Sequence, residues 1–121
     1  LGRWKGIKVE TTSQGQISFM LPTDFDHLHS LDLIGFPNAT KTGKNIRLYS
    51  DYGGIGQTNY ATREESLGES FDFVNNVFFE IDLTSVFSNI VAGDLCNIYI
   101  VHNTIDATIL YTGIKMIYHR S

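Results

Sequence analysis

The chain has 121 residues, a formal net charge of −4 at pH 7 and a sequence pI near 5.4, enough chain for one domain with a single core. The acidic balance argues against a general electrostatic footprint for nucleic acid. No apolar run approaches the roughly eighteen residues that would span a bilayer, and no signal peptide pattern is visible, so neither nucleic-acid binding nor membrane insertion is expected. The single cysteine cannot form an intrachain disulfide, and Cys96 falls on a face that alternation assigns to the core, where a thiol is an inert apolar group. Because the sequence opens on Leu1 rather than Met, a single head domain cut from a longer chain is expected over residues 1–121.

In chain order, residues 2–10 alternate weakly around Trp4, Ile7 and Val9 and predict a first strand, closed by a polar turn over 11–15. Residues 16–21 predict a second strand, stopped by Pro22, which cannot donate to a ladder. Residues 23–28 are polar around Phe25 and Leu28 and predict a loose helical turn. A third strand over 29–36 ends at Pro37, and 38–44 is a turn-rich loop. Residues 45–52 alternate well, with Ile46, Leu48, Ser50 and Tyr52 on one face and Arg47, Tyr49 and Asp51 on the other. After the glycine-rich 53–56, residues 57–70 lack periodicity, with Tyr60 and Leu67 as anchors, and predict a long functional or mobile loop. Residues 71–83 read as two short strands around Asn75-Asn76, or one bulged strand, before a short helix over 85–90 capped by Asp82 or Thr84.

The last third carries two long strands, 95–102 and 108–119, with Gly93-Asp94 as the turn into the first and 103–106 as the loop between them, Ile105 at its tip. Both strands are apolar on both faces, unlike the clean alternation of a strand with one wet side. Their second faces need a cover, and the chain has no spare helical layer, so self-association is expected; one of the chain's own loops is the alternative. Seven or eight short strands with at most two helical turns predict an all-β sandwich, a jelly roll of antiparallel strands.

No nucleophile elbow, zinc-protease motif or Cys–His pair assembles a catalytic centre, so no catalytic residue and no cofactor is assigned. The glycines at 53–56 lack the Gly-Lys-Ser/Thr of a phosphate loop, and the Glu64-Glu65 pair falls in a polar stretch. Asp24, Asp26, His27 and His29 have a metal-like composition, yet the sequence offers no second ligand cluster, so no metal is assigned. Asn38-Ala39-Thr40 matches a glycosylation sequon. Tyr49, Tyr52, Tyr60 and Trp4 are candidates for a platform on which a sugar ring stacks, with Asp51, Asn59 and Arg63 as polar partners.

Ala92-Gly93-Asp94, the apolar run 95–101 and Tyr111-Thr112-Gly113-Ile114 resemble the closing strands of C1q and tumour-necrosis-factor-like jelly rolls, over about the last forty residues. The same architecture occurs in trimeric heads of viral and phage spikes and fibres, to which the Asn- and Gly-rich style is closer. The resemblance implies a homotrimer about a threefold axis, with Tyr99, Tyr111 and Ile117 at the interface. On that reading the protein is a non-enzymatic spike, fibre head or capsid decoration, on a virion surface or extracellular, binding a host glycan or protein receptor. The alternative is a monomeric carbohydrate-binding module appended to an enzyme.

Overall fold

The computed structural model describes residues 6–10, 13–102 and 105–121, with Leu67 and Gly68 described in backbone only. Trp4 lies outside the described residues. Eight strands are found among them: β1 (Ile7–Val9), β2 (Gln14–Met20), β3 (Phe25–Pro37), β4 (Lys41–Gly53), β5 (Thr62–Phe73), β6 (Phe79–Asp82), β7 (Leu95–His102) and β8 (Ile109–Arg120). They form two four-stranded antiparallel sheets in the orders β1-β8-β3-β6 and β2-β7-β4-β5. Only β4 and β5 are consecutive in the chain and neighbours in a sheet; every other connection crosses between the sheets. That is the strand order of a jelly roll, the architecture the punctuation of short strands predicts. No helix among the described residues is long and apolar enough to cross a membrane.

The core is the space between the sheets. Leu31, Leu33, Ile81, Ile109 and Tyr111 enter from one sheet, and Ile46, Leu48, Tyr52, Phe73, Cys96, Ile98 and Ile100 from the other. Burial pushes the Cys96 thiol up to about 12, consistent with an inert core residue.

Four elements differ from the sequence-based expectation. Residues 25–28, expected as a helical turn, open β3, because Phe25, Leu28 and Leu31 line up towards the core across irregularities in its pairing with β8. The stretch 57–70, expected as a loop, is mostly β5, an edge strand whose polarity hides it. The short helix contracts to a 3₁₀ turn at Thr84–Val86, where the Asp82 carboxylate accepts the Thr84 N–H at 2.8 Å. Ile105, expected at an exposed loop tip, is fully buried in the core.

The doubly apolar strands resolve differently along their lengths. In β7, Cys96, Ile98, Ile100 and His102 are buried, while Leu95, Asn97, Tyr99 and Val101 face outward. In β8, three consecutive residues, Ile109, Leu110 and Tyr111, are buried. Leu110 pairs with Phe36 on the outer face, and the Phe78 ring, from the loop between β5 and β6, meets Phe36 edge-on at 5.4 Å. A loop of the chain itself thus covers this patch.

Tyr111 therefore cannot lie at an oligomer interface, as the resemblance implied. It is fully buried, and its hydroxyl lies 2.7 Å from His102 Nε2. His102 Nδ1 faces the Glu10 carbonyl at 3.3 Å, so Nδ1 carries the proton and Nε2 accepts from the tyrosine. Burial, opposed by the Glu10 carbonyl, pushes the His102 pKa from 6.5 down to about 4. An unfolded chain therefore binds a proton at His102 between about pH 6.5 and pH 4 that the folded chain refuses. Stability from this group is complete above pH 6.5 and drains away as pH falls towards 4. Urea midpoints measured across that window are expected to fall with pH in the wild type and to fall less steeply in His102→Gln; parallel slopes would contradict this assignment.

Candidate functional site

Because alternation in β4 and β7 sends one set of residues into the core, the other set is fixed on the outer face of the β2-β7-β4-β5 sheet. The register arranges these outward residues in rows across the strands. One row runs Gln16, Tyr99, Tyr49, Glu65, and the next runs Ser18, Asn97, Asp51, Arg63. A third runs Met20, Leu95, Gly53. The first row, with Asn97, Asp51 and Arg63 of the second, lines a groove of about 560 Å³.

Tyr99 and Tyr49 are directly opposite one another, their ring centroids 6.2 Å apart and their planes inclined by 60°. Both are half-buried, leaving part of each ring open to a ligand. The polar row beside them is internally fastened. Asn97 Nδ2 donates to Gln16 Oε1 at 3.1 Å, and the Ser18 hydroxyl donates to Asn97 Oδ1 at 3.0 Å. Arg63 Nε donates to Asp51 Oδ1 at 2.6 Å, and the Arg63 guanidinium lies 4.8 Å from the centroid of the Tyr60 ring.

Of the residues assigned to ligand binding from sequence, Tyr49, Asp51 and Arg63 meet in this groove. Tyr60 reaches it only through Arg63, and Asn59 lines an adjoining hollow. Tyr52 does not belong to the platform: it is 1% exposed and points into the core. Its parity with Ile46 and Leu48 is the sequence signal that separates it from Tyr49. Tyr99, assigned from sequence to an oligomer interface, forms half of the aromatic pair, and Gln16, Glu65 and Asn97 complete the groove; without the β2-β7-β4-β5 register, nothing joined them.

Tyr52 instead anchors the loop after β6. Its hydroxyl donates to Glu64 Oε1 at 2.6 Å and accepts the Asn89 N–H at 3.1 Å. The same carboxylate accepts from the Ser88 hydroxyl at 2.6 Å and from the Ser88 N–H at 3.2 Å. Burial works to raise the Glu64 pKa, but the Ser88 and Tyr52 hydrogen bonds outweigh it and hold the carboxyl below its ordinary value. Glu64 is thus committed to structure, although it and its cross-strand partner Ser50 also line the groove.

The four weak metal candidates are not gathered around one centre. Asp24 accepts from the Tyr118 hydroxyl at 3.0 Å, and His27 Nδ1 donates to Asp26 Oδ2 at 2.7 Å. The His27 ring lies flat against His119 at 4.3 Å, with His29 edge-on to His119 at 6.0 Å. Among the described residues, no group of three His, Cys, Asp or Glu side chains is placed to hold a metal. In the sequon, Asn38 Oδ1 accepts the Thr108 N–H at 3.0 Å, fastening the loop before β4 to the start of β8.

No protein-family model matches the sequence, and no curated protein matches it. A solved structure of TmCBM61, a carbohydrate-binding module, in complex with beta-1,4-galactotriose is similar in fold at a TM-score of 0.41 and 9% identity, covering 93% of this chain and 68% of that one. That likeness is slight and carries no functional inference.

Tyr52→Phe removes one donor from a part-buried carboxylate and one acceptor from Asn89, and is expected to lower unfolding free energy by about 1–3 kcal/mol. The amide signals of Asn97 and Tyr99 in a two-dimensional NMR spectrum should stay in place. Movement of those signals with no loss of stability would show that Tyr52 serves the groove instead.

Proposed function

We propose that the protein is a non-catalytic carbohydrate-binding domain whose ligand lies in the groove on the β2-β7-β4-β5 sheet. The observation that carries this reading is the Tyr49–Tyr99 pair, opposite in register and flanked by amide and charged side chains. A pyranose ring has an apolar C–H face and an equatorial rim of hydroxyls. Half-open aromatic rings suit the face, and the Gln16, Asn97, Asp51 and Arg63 side chains suit the rim, since each is a donor, an acceptor or both. Among the residues that line the groove, Asp51, Glu64 and Glu65 outnumber Arg63. That balance favours a neutral glycan over a sulfated or uronate-rich one.

Two of the three groove carboxylates are committed elsewhere: Asp51 is tied to Arg63 and Glu64 to Tyr52 and Ser88, so neither is poised as a proton donor beside the tyrosines. The homotrimeric viral head has less support. Its three interface residues share no surface: Tyr111 is inside the core, Tyr99 faces out from one sheet, and Ile117 is exposed on the other.

A glycan array of neutral and acidic oligosaccharides is expected to give neutral hits, and Tyr99→Ala or Tyr49→Ala to weaken the strongest of them by about tenfold, near 1.4 kcal/mol. Both variants should keep the wild-type melting profile. An array without neutral hits, or hits unaffected by either substitution, would sink the reading. Light scattering over a wide dilution range should return the mass of one chain, and a stable mass of three would restore the trimeric head.

A further inference from the structure

The groove does not end at the polar row. A second hollow of about 400 Å³ adjoins it and shares Asp51 and Asn97 with it. Resting on the glycan reading above, we infer that this hollow is a second subsite, and that it takes a sugar residue bearing an acetamido group.

Length comes first. Tyr99 and Leu95 are four residues apart on β7, so the aromatic row and the apolar row are separated by about 13 Å at ~3.3 Å per residue. That distance exceeds one pyranose ring, so a ligand reaching from the tyrosines to Leu95 carries at least two sugar residues.

The hollow is also differently made. Gly53 is part of its lining, and there the turns of the following loop fold back so closely that a Cβ would stand 3.0 Å from the Thr58 carbonyl oxygen and 3.1 Å from the Ala61 Cβ. Those turns are fastened by Gln57 Oε1, which accepts the Gly54 N–H at 2.7 Å, and by Gln57 N–H donating to the Gly54 carbonyl at 3.0 Å. The wall carries two exposed aliphatic side chains, Ile55 and Leu95, 87% and 47% exposed. Side-chain amides of Asn97 and Asn59 border the same space.

A hexose can lay its C–H face on this wall, but none of its hydroxyl substituents joins a methyl to an amide. An acetamido group matches it in both parts, its methyl against Leu95 and Ile55 and its N–H and C=O against the amides. The aromatic row then holds one sugar face while the apolar row discriminates by substituent.

The test uses two β-1,4 disaccharides that differ at C2, N,N′-diacetylchitobiose and cellobiose, titrated by calorimetry into the wild type, Leu95→Ser and Ile55→Ser. Wild type is expected to bind the chitobiose roughly fivefold tighter or more, the worth of one buried methyl with its amide contacts. Each serine variant should bring the two sugars to within about twofold, by weakening the chitobiose alone. Ile55 sits in an open loop, so Ile55→Ser tests the wall even if Leu95→Ser disturbs β7. Cellobiose bound as tightly as chitobiose by the wild type, or no binding of chitobiose at all, overturns the acetamido subsite. Neutral hits on the array that still depend on Tyr99 would leave the glycan reading standing in that case; an array with none removes both.

Discussion

The pairing of β7 with β4, in the middle of one sheet, is the constraint on which the rest of this molecule depends. Ile98, Ile100, Ile46 and Leu48 are all buried from that pair, and their burial fixes which way every other residue of both strands points. A slip of one residue would expose the four aliphatics and bury Asn97, Asp51 and Arg47, so the register is held by the core. The outer face is a consequence: Tyr99 opposes Tyr49 because Ile100 opposes Leu48. The aromatic pair therefore comes with the core packing and needs no loop to assemble it.

Two polar fasteners keep the connections from drifting over that face. Glu64 and Tyr52 hold the segment after the 3₁₀ turn against the β4–β5 hairpin. Asp94, 4% exposed, accepts the Val91 N–H with its carboxylate at 2.9 Å, and its carbonyl accepts the Leu21 N–H at 2.9 Å, tying the turn before β7 to the end of β2. Both are buried or part-buried, where an unmatched partner is costly, so they fix geometry more firmly than the exposed ion pairs at Lys41, Lys44 and Lys115.

Architecture was legible in this sequence and pairing was not. Short apolar runs punctuated by Pro22, Pro37 and glycine turns implied a sandwich, and the strands themselves differ in order 1-8-3-6 and 2-7-4-5 only in ways that period-two patterning cannot report. β5 escaped notice because, as an edge strand, it places Glu64 and Ser66 at positions that a central strand would fill with Val or Ile. The apolar second faces of β7 and β8 suggested a partner chain, and they separate into an open groove at Tyr99 and a patch under Phe78. Alternation alone already placed Tyr52 with Ile46 and Leu48, so its inclusion in the platform set residue type above parity. Ile105 shows the opposite limit, since its burial comes from a loop folding inward, for which no periodicity exists.

A groove built on a sheet face has a thermodynamic consequence. Tyr49 and Tyr99 have few rotatable bonds and are half-buried between neighbours, and the Ser18–Asn97–Gln16 chain and the Asp51–Arg63 pair already hold the polar side chains in place. On the proposed reading, ordering these groups on binding would cost little of the roughly 0.5–1.5 kcal/mol per side chain that a floppy surface would lose. The same fasteners would limit adaptation, because moving one row means breaking hydrogen bonds to the next. The Gly53–Ala61 stretch extends the same fastening beyond the sheet, since Gln57 and Ala61 close its turns through the Gly54 and Thr58 carbonyls. The outer face of the sheet and the loop beside it are thus held by separate sets of hydrogen bonds, one set by strand register and the other local to the turns.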